Sequence, residues 1–174
     1  MPVWDADHQL LVSEVRIAAA RDEDVPAILR LIRALADYEK LTDQAVATEA
    51  DVRDALVGPR RSVEVVMAFS GDTAIGFALF FHNFSTFLGR RGLYLEDLFV
   101  VPDWRGRGVG RRLLSHVAQI AVDRHCGRME WAVLDWNESA IGFYRRLGAD
   151  VMDDWRLCRL TGDALARVAA SGGG

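Results

Sequence analysis

Apolar residues along this chain follow two periods, one typical of helices and one typical of strands. Between Val25 and Leu35 they recur at i, i+3, i+4 and i+7, which indicates a helix with one buried face. The same spacing returns between Leu113 and Ala121. Runs rich in β-branched and aromatic residues separate these segments and predict strands. The predicted strands are 15–20, 63–69, 73–81, 94–100, 128–134 and 155–160. The predicted helices are 22–40, 48–58, 137–147 and 163–170, together with a helix that begins behind Gly110 and includes 113–121.

Turn and cap residues mark the ends of several of these elements. Thr48 and Asp51 approximate a capping box at the start of the second helix, and Asn137 caps a later one. The run 70–72, Ser-Gly-Asp, predicts a hairpin turn between two strands, whereas 82–92 is predicted to be a loop. The resulting order, β-α-α-β-β-β-α-β-α-β, predicts an α/β (α+β-like) fold with a mixed sheet and helices on both faces.

The domain organisation predicted from the sequence is simple. A chain of 174 residues is long enough for one domain with a proper core, and it contains neither an internal repeat nor an inter-domain linker. We therefore predict an N-terminal tail over 1–14, one domain over 15–170 and a flexible end over 171–174.

A glycine-rich loop lies between the strand 94–100 and the helix that follows it. Its sequence, R-G-R-G-V-G over 105–110, lets the backbone turn sharply and approach a ligand. The helix begins directly behind it, so unpaired N–H groups and the positive end of the helix dipole form a phosphate site. No Gly-Lys-Ser/Thr occurs, which excludes a P-loop, and a dinucleotide fingerprint would need glycine at Arg111.

The loop fits the pattern [Q/R]-x-x-G-x-[G/A] and follows V-x-P-x-[WY]-R-G, and in this it resembles the coenzyme A loop of the GNAT superfamily of N-acetyltransferases. A glycine-rich turn with solvated arginines is the alternative interpretation of the same residues.

A second stretch, N-x-x-[AS]-x-x-F-Y-x-x-x-G-[FA] from Asn137, resembles the other signature of that superfamily. The runs 94–100 (Y-L-E-D-L-F-V), 134–137 (L-D-W-N) and 31–39 are similar to the diamine (spermidine/spermine) acetyltransferase branch, and the similarity extends over about 15–160. The resemblance implies a GNAT domain with about six to seven strands, acetyl-CoA as co-substrate and a homodimer.

Two carboxylates, Glu96 and Asp97, lie inside an otherwise apolar strand. Successive strand residues point to opposite faces, so we expect the two side chains to differ in role. Burial without a partner would cost several kcal/mol, so each needs a cation, a donor or water beside it. Either carboxylate could pair with a structural arginine. The functional alternative is that Glu96 faces an acceptor and takes the proton of its amine, directly or through water.

The resemblance assigns roles to the remaining site residues. Tyr144 would protonate the departing thiolate, although its position in an apolar helical stripe equally suits a core residue. Tyr38, Glu39, Glu96 and Asp97 would line the acceptor channel. The residues implied to hold the coenzyme are Leu98, Phe99, Val100, Arg105, Gly106, Arg107, Gly108, Val109, Gly110, Arg111, Asn137 and Ala140.

Composition excludes some functions. Hydrophobic residues make up 51% and charged residues 26% of the chain, as in ordinary globular proteins. A net charge of −4 argues against a nucleic-acid surface, although the cluster Arg105–Arg112 keeps salt-dependent DNA binding as an alternative. No apolar run has membrane-spanning length. Cys126 and Cys158 are expected to stay reduced in the cytoplasm. The four histidines lack metal-ligand spacing.

The function predicted from the sequence is transfer of an acetyl group from acetyl-CoA to the primary amine of a small cationic acceptor, a polyamine or a lysine-like amine. The amine would attack directly in a ternary complex, and backbone N–H groups around 98–100 would polarise the thioester carbonyl. Alternatives are acetylation of a protein or antibiotic amine, and a non-catalytic acyl-CoA-binding module. The short loop 149–155 and the run 82–85 depart from the pattern of the polyamine enzymes, which leaves the acceptor open.

Overall fold

The computed structural model describes residues 15–172, which fall into two compact units with the boundary between Ala132 and Val133. The predicted tail over 1–14 lies outside the described residues, and so do the last two residues. The division into a tail, a domain over 15–170 and a flexible end therefore stays a prediction. None of the helices within the described residues is long and apolar enough to cross a membrane.

The first unit is built on a five-stranded sheet in which spatial order follows chain order. The strands are β1 (Val15–Ala19), β2 (Glu64–Ser70), β3 (Thr73–Ser85), β4 (Arg90–Val100) and β5 (Met129–Glu130). Strands β1 to β4 pair antiparallel, and β5 pairs parallel to β4. The sheet is therefore mixed, as predicted. The turn after Ser70 is also confirmed, with Gly71 at a φ of +55°.

Three helices of this unit cover the two faces of the sheet. They are α1 (Val25–Tyr38), α2 (Glu49–Val57) and α3 (Val109–Asp123). Alternate residues of β2, Val65 and Met67, join the buried cluster of α1 and α2. On the opposite face, a Cβ built on Gly76 of β3 would lie 3.3 Å from Leu113 of α3. The predicted arrangement of helices on both faces is confirmed.

The predicted capping box opens α2. The Thr48 side chain accepts a hydrogen bond from the Asp51 N–H at 3.3 Å, and Asp51 accepts one from the Thr48 N–H at 2.8 Å. Two N–H groups that the helix itself cannot satisfy are thereby paired.

The prediction of a loop over 82–92 is wrong, because β3 and β4 continue into it. His82 pairs with Leu93 and Asn83 with Gly92, and four residues remain for the turn. Polar side chains broke the apolar pattern there, but cross-strand backbone hydrogen bonds do not depend on side-chain polarity. The strand predicted over 128–134 is reduced to the two residues of β5.

The second unit contains two helices, α4 (Glu138–Arg146) and α5 (Gly162–Ser171). Asn137 caps α4 as predicted, since its side chain accepts from the Ala140 N–H at 3.2 Å. The last strand predicted over 155–160 is not formed, so within 15–172 the sheet has five strands rather than six to seven. Trp155 and Leu157 are exposed instead. Alternation of apolar and charged residues makes a strand possible, but only pairing with a neighbour creates one.

Candidate active site

The glycine-rich loop leads into an open helix start, as the sequence predicted. Gly106 and Gly108 have φ angles of +73° and +80°, in the left-handed region that favours glycine. Gly108 is also the N-cap of α3 and supplies no capping side chain. The first helical hydrogen bond runs from the Arg112 N–H to the Gly108 carbonyl at 3.0 Å. The N–H groups of residues 109–111 therefore precede the hydrogen-bonded ladder, which makes this turn a site for an anion.

Gly110 differs from the other two glycines of the loop. It lies within the first turn of α3, and a Cβ built on it would make an ordinary contact of 3.8 Å with Val100. The expectation that all three glycines serve a sharp turn is therefore wrong for Gly110.

The loop arginines point to different parts of the first unit. Arg105 donates from Nε to the Val100 carbonyl at 2.9 Å, and its guanidinium carbon lies 4.2 Å from the centroid of the Tyr38 ring. Arg107 lies over Trp104 at 5.1 Å. Each of these two arginines is therefore held against an aromatic ring of its own.

Two further arginines follow in the first turn of α3. Arg111 is exposed, whereas Arg112 donates to the Val15 carbonyl at 2.6 Å and ties α3 to β1. Of this pair, the exposed Arg111 is the one whose side chain meets solvent at the open helix start.

Glu96 and Asp97 lie where β4 departs from regular pairing. Leu79 pairs with Asp97 and its neighbour Phe80 pairs with Leu95, so Glu96 is an extra residue in β4, as in a β-bulge. The two-residue alternation is interrupted at this point. The expectation that Glu96 and Asp97 point to opposite faces assumed a regular strand, and it stays a prediction.

The carboxylates of this region perturb one another. Glu96 is exposed and Asp97 is partly buried. Loss of water around Asp97, together with the negative charges of Glu96 and Glu39, raises the pKa of Asp97 to about 7. Burial also raises the pKa of Glu39, which directly follows α1. An acidic cluster that withholds one proton near neutral pH is well suited to receive a cation.

The edge of β4 beyond Tyr94 has no neighbouring strand within 15–172. β5 pairs only with Leu93 and Tyr94, and β4 continues from Leu95 to Val100. Leu98 on this stretch is partly exposed, while Phe99 and Val100 are buried. Backbone groups along such an edge can pair with an extended ligand.

The predicted residues of the second unit lie on or beside α4. Tyr144 is buried, and its ring centroid lies 5.3 Å from that of Phe143. Asn137 and Ala140 form the cap of the helix through their hydrogen bond. Burial of Tyr144 fits the interpretation as a core residue and the interpretation as a proton donor equally well.

Sequence reasoning missed two features of the site. One is the raised pKa of Asp97, which depends first on burial and then on the charges of Glu96 and of Glu39, the latter from a distant part of the chain. The other is the contact between Arg105 and Tyr38, since Arg105 had been assigned only to phosphate. A carboxylate next to a second carboxylate within an apolar strand was the one available signal of the first feature.

Among residues 15–172, no three His, Cys, Asp or Glu side chains are grouped so that they could hold a metal ion. The expectation that the reaction needs no metal stays a prediction.

The mixed sheet and the glycine-rich loop that opens a helix agree with the coenzyme-dependent acyltransferase class that the sequence motifs resemble. The family model described as "Acetyltransferase (GNAT) family" matches residues 28–149, and the chain belongs to this family. The resemblance stated from the sequence is thus confirmed. As a member of the family, the chain is an acetyl-CoA-dependent N-acetyltransferase.

Curated relatives cover most of the chain. It is 36% identical to L-ornithine N5-acetyltransferase NATA1 of Arabidopsis thaliana, over 88% of this chain and 87% of that protein. It is also 36% identical to thialysine N-epsilon-acetyltransferase of Bos taurus, over 89% and 97% of the two chains. A human spermidine/spermine N(1)-acetyltransferase-like protein 1 is 32% identical over 88% of this chain, which corresponds to 24% of that longer protein.

Proposed function

We propose that this chain acetylates a terminal amine of a small cationic acceptor, either a diamine or an amino acid with a basic side chain. The observation that carries the proposal is the cluster of Glu39, Glu96 and Asp97 on β4 and at the end of α1. Asp97 of this cluster lies three residues before Val100, the last residue of the open edge of β4 that we assign to the coenzyme. The names of the relatives, which refer to ornithine, thialysine and spermidine or spermine, agree with such an acceptor.

The coenzyme would lie along β4 and across the start of α3. The open edge over 98–100 supports pairing with the pantetheine arm, and backbone N–H groups there would polarise the thioester carbonyl. The N–H groups of 109–111, with the side chains of Arg107 and Arg111, would hold the diphosphate. Gly106 and Gly108 provide the backbone turn, while Asn137 and Ala140 would flank the coenzyme as the resemblance implies.

The acceptor must lose a proton before it attacks, because an alkylamine has a pKa near 10 and is cationic at neutral pH. We propose that Glu96 takes this proton, directly or through water, while Asp97 and Glu39 bind the cation beside Tyr38. Because its pKa is raised to about 7, Asp97 is the alternative candidate for the general base. The pH–rate profiles of Glu96→Gln and Asp97→Asn distinguish the two assignments, since only the loss of the base removes the acidic limb of kcat.

Binding of the acceptor should release a proton. An arriving cation stabilises the ionised form of Asp97 and lowers its pKa from about 7. Titration calorimetry in buffers of different ionisation enthalpy measures this release directly. An identical heat in all buffers at pH 6.5 would contradict the placement of the cation at Asp97.

Tyr144 is proposed to protonate the sulfur that leaves. A phenol can donate because its pKa lies above that of a thiol. The proposal rests on the resemblance of the sequence around Asn137 to the second GNAT signature.

The decisive experiment is an acceptor panel with detection of the free CoA thiol. The panel contains L-ornithine, L-lysine, putrescine, spermidine, an aminoglycoside and a peptide with a free N-terminus. Turnover of one of the first four with a kcat/KM at least about tenfold above that of the last two supports the proposal. Preference for the aminoglycoside or the peptide would favour the alternative of an antibiotic or protein amine. Binding of CoA without thiol release from any acceptor would favour a non-catalytic module.

We also propose that the chain acts as a homodimer in the cytoplasm. The resemblance implies the dimer, and exposed apolar residues such as Trp155 and Leu157 support an association surface. Sedimentation equilibrium of the full chain tests this, and a single species with the mass of one chain at micromolar concentration would refute it.

A further inference from the structure

Arg105 connects three parts of the first unit that the proposed reaction needs together. Its Nε donates to the carbonyl of Val100 at the end of β4, at 2.9 Å. Its guanidinium carbon lies 4.2 Å from the centroid of Tyr38, the last residue of α1, and 5.3 Å from that of Phe99. The arginine itself belongs to the loop that leads into α3. One side chain thus joins the proposed coenzyme edge, the coenzyme loop and the end of the helix next to Glu39.

Arg107 provides an internal contrast. It stands two residues further along the same loop, but its guanidinium lies over Trp104, which is also part of the segment before α3. Its contact therefore stays within the loop region, whereas the contact of Arg105 reaches an element far away in the sequence.

The geometry around Arg105 requires a planar guanidinium. The plane stacks on an aromatic ring while an N–H in the plane donates to a carbonyl, and a lysine ammonium cannot satisfy both demands at once. The Nε–H and one face of the Arg105 guanidinium are therefore already used by contacts within the protein. Its terminal N–H groups can still donate, but the two contacts hold the plane of the guanidinium between the end of α1 and the end of β4.

We propose that Arg105 is a positioning residue that fixes the end of α1, with Tyr38 and Glu39, against the end of β4. It thereby determines how the acceptor binds beside the thioester, and it does not act through the diphosphate. This inference rests on the proposed function, because it assumes that Tyr38 and Glu39 lie beside the acceptor. Backbone N–H groups at the start of α3 and the side chain of Arg107 remain for the diphosphate when Arg105 is replaced.

The test compares Arg105→Lys, Tyr38→Leu and the double variant with the wild-type chain. Arg107→Lys serves as the contrast within the loop. Arg16→Lys is the neutral control, because Arg16 stacks on Phe69 at 4.3 Å on β1 and β2, outside the proposed site. Each variant is characterised by its dissociation constant for CoA and by KM and kcat with L-ornithine or putrescine, whichever the wild type turns over faster.

Arg105→Lys should raise the acceptor KM about five- to thirty-fold, the range that loss of a partly desolvated cation–π contact corresponds to. Its dissociation constant for CoA should stay within about threefold of the wild-type value. Arg107→Lys should show the reverse pattern. The effect of the double variant on the acceptor KM should be smaller than the product of the two single effects, since both single changes break the contact between Arg105 and Tyr38. A rise in the CoA dissociation constant with an unchanged acceptor KM in Arg105→Lys would overturn the proposal and return Arg105 to the diphosphate.

A second measurement does not depend on turnover. The amides of Glu39, Lys40 and Leu41 bond to carbonyls of α1, at 2.9, 3.1 and 2.8 Å. Hydrogen exchange at these amides should be faster in Arg105→Lys than in the wild type or in Arg16→Lys, because the end of the helix loses its anchor. Equal exchange in all three proteins would refute the positioning role. Absence of turnover in the wild type would instead refute the proposed function. The hydrogen-exchange result would then be the test of whether Arg105 positions the end of α1.

Discussion

Replacement of Asp97 by asparagine should change how the stability of the protein depends on pH. Burial, together with the charges of Glu96 and Glu39, raises the pKa of Asp97 from its ordinary value of 3.8 to about 7. The folded chain therefore holds a proton between these two pH values that the unfolded chain has already lost. Where the native state binds more protons than the unfolded state, the free energy of unfolding falls as the pH rises. The stabilising effect is complete below about pH 4 and is lost as the pH passes about 7.

The size of this effect follows from the two pKa values. Each unit of difference corresponds to 1.36 kcal/mol, so the interval from 3.8 to about 7 amounts to at most about 4 kcal/mol. That is a large fraction of the 5–15 kcal/mol that typically stabilises a domain. Asparagine cannot ionise, so the variant should lack this loss. Its free energy of unfolding relative to that of the wild type should rise from pH 5 to about pH 7 and then level off.

Urea unfolding at pH 5, 6, 7 and 8, followed by far-UV circular dichroism, measures the difference between the two proteins. We expect the difference in free energy of unfolding to change by about 2–3 kcal/mol in favour of Asp97→Asn across this range. Glu96→Gln is the matched control, since removal of its charge lowers the pKa of Asp97 and should shift the transition to lower pH. Parallel pH profiles for wild type and Asp97→Asn would refute the assignment of a withheld proton to Asp97.

Three further substitutions test other parts of the structure. Gly108→Ala places a Cβ at a φ of +80° and should lower the free energy of unfolding by about 1–2 kcal/mol. Gly110→Ala lies inside the helix and should not destabilise the protein. Equal losses in the two variants would contradict the left-handed conformation at Gly108. Tyr144→Phe should lower kcat about 10²–10⁴-fold in single-turnover assays with little change in CoA affinity, and unchanged turnover would make Tyr144 a core residue. Thr48→Ala removes the capping box of α2 and should cost about 1 kcal/mol in unfolding free energy, so an unaltered denaturation midpoint would count against that box.

The sequence predicted the features that depend on neighbouring residues. The capping box at Thr48, the cap at Asn137 and the turn after Ser70 are each determined by a few adjacent side chains, and all three are confirmed. Helices α1 and α3 were predictable because their apolar residues repeat with the helical period. The glycine-rich loop before α3 was recognisable for the same local reason.

Features that depend on distant residues were not predictable in this way. The bulge at Glu96 arises from the register between β3 and β4, and the segment 155–160 pairs with no strand among residues 15–172. The contact of Arg105 with Tyr38 joins residues far apart in the chain. Spacing along one segment carries no information about which other segment it meets, so these features required the fold.

The same limit applies to the acceptor. Glu96 and Asp97 were recognisable as unusual in an apolar strand, but the raised pKa of Asp97 depends on its burial in the folded chain and then on the charges of Glu96 and Glu39. The chemistry of the reaction is therefore evident from motifs, whereas the acceptor depends on side chains that only the folded chain brings together.

The central claim is that the acidic cluster binds a cationic amine for acetylation, and removal of two of its carboxylates tests this most directly. Thiol release from acetyl-CoA is measured with L-ornithine at pH 7.5, for the wild type and for a double variant, Glu39→Gln with Asp97→Asn. We predict turnover by the wild type and a kcat/KM at least about tenfold lower in the variant, through a higher KM. An unchanged kcat/KM in a folded variant, or no thiol release by the wild type with any amine of the panel, would contradict the account.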